Sequence, residues 1–204
     1  CGPDDVITPV SAEDEITRNR VGGIAPQNYL APWSNYGMRD VLRLLVRRRR
    51  KMLFRNHLPA QRARERLPSD IWDSYFKFCF DRHPFDRVLS TYYWRRSRTP
   101  DMPDVDWFVQ NRLEHVRRGS WGIYTIDDEP AVDRVFRYED LPAALEEISE
   151  RIGATVSPGM LPQAKSAARP ADSGRHELTP SQKRVIARGF APELALLGDS
   201  GDDR

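Results

Sequence analysis

The stretch that most restricts the fold is residues 76–94, FKFCFDRHPFDRVLSTYYW, because its apolar period changes in the middle. Phe76, Phe78 and Phe80 alternate with Lys77 and Cys79, the period of a short buried strand. Arg82 and His83 make a turn. Pro84 then takes the first helical position, where a missing N–H is no loss. Asp86, Val88, Leu89, Tyr92 and Tyr93 continue at helical spacing, out to about Arg98. A strand that ends in arginine and runs straight into a helix start is a natural anion site. Unspent backbone N–H groups, the positive end of the helix dipole and the forked charge of Arg82 would meet there.

Further elements follow from the same signals. Val132–Tyr138 reads as a second strand, followed by a helix capped by Asp140 and stopped at Gly153. A helix over Met38–Lys51 carries Val41, Leu42, Leu45 and Val46 on its apolar side. Asp106–Arg118 reads as a helix with Phe108, Val109, Leu113 and Val116 inward, and Trp121–Ile126 as a short strand or packed loop. A last helix, capped by Thr179, runs to Leu197. Residues 1–37 are loop-rich with one helical turn near Ala12–Arg18, 154–178 form a basic loop, and the tail 199–204 is expected to be disordered. Strands alternating with helices predict an α/β fold, a parallel sheet with helices on both faces, in one domain of 204 residues. In such sheets ligands bind at the carboxyl ends of the strands.

The segment from Arg82 through Pro84 and Arg87 to Ser90, with arginine and serine eight apart after an aromatic strand, resembles the 3′-phosphate-binding segment of sulfotransferases. These enzymes use 3′-phosphoadenosine 5′-phosphosulfate (PAPS). The resemblance extends, in order, to CGPDDVITPVSAEDE at the head, NHLPA at 56–60, RVFRYEDL at 134–141 and FAPELALLG at 190–198, and is to the bacterial, carbohydrate-type branch. It implies a P-loop-NTPase-like sheet and transfer of a sulfuryl group from PAPS to a hydroxyl acceptor. Arg82 and Ser90 would hold the 3′-phosphate. Lys165 and Arg169, in AKSAAR, fall where relatives carry a basic loop over the nucleotide; the other reading is a solvated loop. Members of that family open with a strand and a Lys/Thr/Gly loop around the 5′-phosphosulfate, and no such string occurs here. The expectation is a chain lacking that first strand and loop, inactive by itself.

A hydroxyl acceptor calls for a general base, and four histidines are available. His57, in NHLPA, is the candidate, because related enzymes often place a catalytic His or Glu there; its plainer role would be to cap the helix after Pro59. His83 is expected to orient backbone, His115 to lie on the surface, and His176 gives no signal. Tyr138 and Asp140 read as structural, one packing and one capping. Trp33, Tyr36, Trp94, Trp107 and Trp121 could line an acceptor groove, but aromatic residues are more often core.

Composition limits the partners. The net charge is +2 and the mean hydropathy −0.66, with arginines clustered at 47–50 and 95–98. Such runs are solvated helix faces or a rim that draws in an anionic ligand; no nucleic-acid-binding module accompanies them. Two cysteines cannot build a disulfide framework, and Cys79 reads as a small apolar residue, which points to a reducing, cytoplasmic compartment. No apolar run has the length of a membrane span, and no metal ligand set is evident. Three rival classes stand beside the transferase: a nucleotide-binding remnant without catalysis, a P-loop kinase-like enzyme lacking its Walker lysine, and an arginine-rich module for acidic partners.

Overall fold

The computed structural model describes residues 2–99, 101–160 and 178–198. They divide into two compact units, 1–73 and 74–204, each a mixture of short elements. The first unit holds α1 (Ala12–Arg20), α2 (Met38–Arg47) and α3 (Ala60–Arg64), with α4 (Ser69–Ser74) at its end. Ser11 caps α1 by accepting from the Asp14 amide, and three acidic residues in the first turn suit the helix dipole. Between the helices the chain is held by two isolated bridges, Ile7 with Gln27 and Leu30 with Met52.

The second unit contains β1 (Phe78–Asp81), α5 (Pro84–Arg96), α6 (Val105–Arg118), α7 (Trp121–Tyr124), β2 (Thr125–Ile126), β3 (Glu129–Pro130), β4 (Arg134–Arg137), α8 (Leu141–Ile152), α9 (Pro180–Gly189) and α10 (Ala191–Leu196). β1 and β4 pair in parallel, Phe78 with Arg134 through Asp81 with Arg137. The mixed α/β character and the parallel pairing therefore stand. The sheet is small: among the described residues its parallel part has two strands, and Phe78 stays 38% exposed, so β1 is half-buried rather than buried. The larger core is helical. Phe85, Val88, Leu89 and Tyr92 of α5 pack with Val105, Phe108, Val109 and Val116 of α6 and with Ile186 and Phe190 around α9. A second core joins the sheet to α8, where Phe80 and Phe136 meet Leu145 and Ile148.

Four sequence expectations need correction. The helix expected over Met38–Lys51 ends at Arg47, with Arg48 in the left-handed region at φ 50°, and its apolar side is exposed: Leu42 is 61% and Leu45 72% exposed. Asp140 stands at the start of α8 but makes no side-chain cap; its carboxylate lies 3.7 Å from Arg137 instead. Trp121–Tyr124 is a helical turn, with only Thr125 and Ile126 extended. The single helix expected to Leu197 is two, broken at Phe190, because Pro192 has no N–H for the Arg188 carbonyl and its ring would clash there. Gly153 does stop α8, in the left-handed conformation at φ 65° that a side chain disfavours. Residues 161–177 of the basic loop and the tail 199–204 lie outside the described residues.

Candidate functional site

The parallel register dictates what surrounds Arg82. Since Asp81 pairs with Arg137, the next residues on each strand emerge side by side: Arg82 beside Tyr138 and His83 beside Glu139. Two contacts follow. The Arg82 guanidinium lies 4.4 Å from the centre of the Tyr138 ring, and the His83 amide donates to Glu139 Oε1 at 3.0 Å. α5 then carries Ser90 two turns onward, and Arg82 folds back along it so that Nη1 donates to Ser90 Oγ at 3.1 Å. Arg82 is thus fixed between a ring face and a hydroxyl. The other N–H groups of its guanidinium have no hydrogen-bond partner among the described residues.

Under this pair lies a buried charge network. Asp81 is 2% exposed, and its carboxylate takes the Tyr124 hydroxyl at 2.7 Å, the Arg82 amide at 2.8 Å and an ion pair with Arg87. Arg87 also donates from Nη2 to the Arg82 carbonyl at 3.1 Å, while its Nη1 is buried without a partner among the described residues. Burial lowers the Arg87 pKa, opposed by the negative charge it faces. Burial likewise pushes the Tyr124 hydroxyl above its ordinary value and the Cys79 thiol up to about 12, so Cys79 is a neutral thiol at physiological pH. The network stiffens the turn behind Arg82, with the Arg87 charge balanced by Asp81.

The helix start is less open than the sequence suggests. His83 caps α5 through Nδ1, which accepts from the Phe85 amide at 3.3 Å; the His83 amide goes to Glu139, and Pro84 has none. The capacity for an anion therefore rests on the side chains of Arg82 and Ser90 more than on free backbone donors. What these groups fit is a compact dianion presented to a forked guanidinium and a hydroxyl, as a phosphate monoester would be. Among the described residues no cluster of three His, Cys, Asp or Glu could hold a metal ion, and no helix is long and apolar enough to cross a membrane.

Of the residues singled out in the sequence, Arg82 and Ser90 are brought together. His57 belongs to the first unit. It sits in a turn at φ 55°, exposed, and the start of α3 has no side-chain cap, so His57 does not serve as one. Lys165 and Arg169, with His176, lie outside the described residues. His115 is on the surface, and of the tryptophans Trp121 is core while Trp33, Trp94 and Trp107 are exposed, each with an arginine over its ring. Tyr138 and Glu139 are the participants that sequence reasoning undervalued; their position after the second strand was the available signal, and only the register turns it into contact.

No family model matches this chain, and neither does any curated protein or solved structure.

Proposed function

We propose that this chain carries the 3′-phosphate-binding part of a PAPS-dependent sulfotransferase that moves a sulfuryl group to a hydroxyl acceptor, a carbohydrate or other small alcohol. The observation that carries the reading is the Arg82–Ser90 contact at 3.1 Å, at the carboxyl end of a parallel strand and along the helix that follows it. Strand ends of parallel sheets are where such folds place ligands. In this reading β1 and β4 are neighbouring strands of a P-loop-like sheet. Arg82 and Ser90 hold the 3′-phosphate, Tyr138 fixes the guanidinium plane, and Lys165 and Arg169 lend charge over the nucleotide. His57 is the general base. The acceptor oxygen attacks sulfur as its proton passes to the imidazole, and the bond from sulfur to the bridging phosphate oxygen breaks with its electrons on the phosphate.

Calorimetry with 3′-phosphoadenosine 5′-phosphate and with AMP tests the reading. The chain should bind the 3′-phosphorylated nucleotide in preference. Arg82→Ala should lose about 2–4 kcal/mol of that affinity and Ser90→Ala about 1 kcal/mol, with AMP binding little changed. Equal affinity for the two nucleotides, or an Arg82→Ala chain that folds and keeps its preference, removes the assignment. In a protein that also carries the 5′-phosphosulfate loop, His57→Ala should depress turnover with nucleotide affinity intact.

A further inference from the structure

The apolar side of α2 is, among the described residues, a broadly exposed apolar surface. Met38, Val41, Leu42, Leu45 and Val46 are 89%, 44%, 61%, 72% and 73% exposed. At 100° per residue these five fall on one contiguous arc, while Asp40 and Leu44, the less exposed positions, share the strip that faces the unit itself. Arg39, Arg43 and Arg47, at four-residue spacing, form a ridge along one border of the apolar arc. Arg48, Arg49 and Arg50 extend the charge past the helix end, with Arg50 over the exposed Trp33 ring at 5.3 Å.

The charge on this surface has one sign. The only acid between residues 38 and 51 is Asp40, and its carboxylate is occupied by Lys51 Nζ at 2.8 Å and by the Gly37 amide at 3.2 Å. That pairing holds Asp40 below the usual carboxylate range, so it stays ionised and engaged. What remains outward is an apolar ridge bordered and prolonged by six guanidinium groups. We propose that α2 docks this unit on an anionic lipid surface, lying in the plane of the interface. The side chains of Leu42 and Leu45 would enter the acyl boundary, and the arginines would reach anionic headgroups from stems that lie along the same boundary.

A lipid occupant suits the geometry better than a protein groove. The face is convex and formed by long, separately exposed side chains. Its basic border continues beyond the helix, as a laterally extended polyanion requires and a helix-sized groove does not. The proposal is independent of the transferase reading, since it uses no residue of the Arg82 site.

Flotation of the 204-residue chain with vesicles tests it. Vesicles of phosphatidylcholine with 30 mol% phosphatidylserine should bind the chain at least about tenfold more tightly than pure phosphatidylcholine, and less so as salt is raised. Leu42→Glu with Leu45→Glu, at exposed positions that leave the helix signal in circular dichroism intact, should reduce binding about tenfold or more. Arg43→Glu with Arg47→Glu should do the same on anionic vesicles only. The proposal is overturned by any of three results: no binding to anionic vesicles, binding indifferent to the leucine variants, or equal binding to soluble polyglutamate. It also fails if light scattering shows a dimer that Leu45→Glu dissociates, because a second copy then covers the face.

Discussion

Arg87 and Asp81 show how one residue pair can matter more for integrity than for ligand. Asp81 is buried at 2% exposure and Arg87 nearly so, and each neutralises the other within reach of Tyr124. A buried pair of this kind contributes little over an apolar replacement, but losing one member leaves the other charged and unsolvated. Arg87→Ala should therefore cost about 3–5 kcal/mol, read as a fall in the urea midpoint, whereas replacing both members by apolar residues should cost less. Glu193 is the second such residue. It is 1% exposed on α10 and meets Arg117 Nε of α6 at 3.1 Å. Burial raises its pKa, with Arg117 and Arg87 pulling back. Because the folded value lies above the unfolded one, the stability this group contributes is fully present below the unfolded carboxylate pKa of about 4.3 and is lost as pH rises through the folded pKa. Glu193→Gln should flatten that part of the stability–pH curve by about 1.4 kcal/mol per unit of the raised pKa, as followed by urea titration between pH 4 and 8.

At the scale of elements, local chemistry was the legible part. The switch of period at Arg82 gave β1, the turn and α5, since Pro84 and the apolar spacing act within a few residues; Arg82 and Ser90 were singled out together only by the family resemblance, and they meet because both belong to that segment. The capping box of α9 is equally local: Thr179 accepts from the Gln182 amide at 3.2 Å, and Gln182 Oε1 accepts from the Thr179 amide at 2.8 Å. Thr179→Ala should lower stability by about 1 kcal/mol, and Thr179→Ser should restore most of it in the same thermal melt. Illegible parts depended on a partner or on competing signals. The apolar spacing of α2 says which side chains share a face and nothing about what covers it. The spacing through Ile186, Phe190 and Leu194 runs smoothly across the break before Pro192, so the periodic signal outweighed the proline. Tyr138 and Glu139 acquire their roles from the pairing of β1 with β4, fixed by residues more than fifty positions apart.

At the scale of the molecule, the two units differ in what holds them. Nineteen of the buried apolar residues, from Phe85 to Leu197, belong to the second unit; among the described residues of the first, only Ala31 and Ala60 are buried to that degree. A large side chain such as Phe108 or Ile186 contributes about 1.5–3 kcal/mol on burial, and an alanine only a fraction of that. The first unit instead leans on exposed hydrogen bonds, such as those from the Gln27 and Asn28 side-chain amides to carbonyls near its start, and on the two isolated bridges. Bonds of that kind open without disturbing a core. Amide exchange followed by mass spectrometry should therefore show α5, α6 and α9 exchanging only by global opening, with residues 2–73 at least about 100-fold less protected. In urea the first unit should lose its structure at a lower midpoint than the second, giving a helix signal that falls in two steps. A single transition with uniform protection across residues 2–73 and the second unit would overturn this expectation.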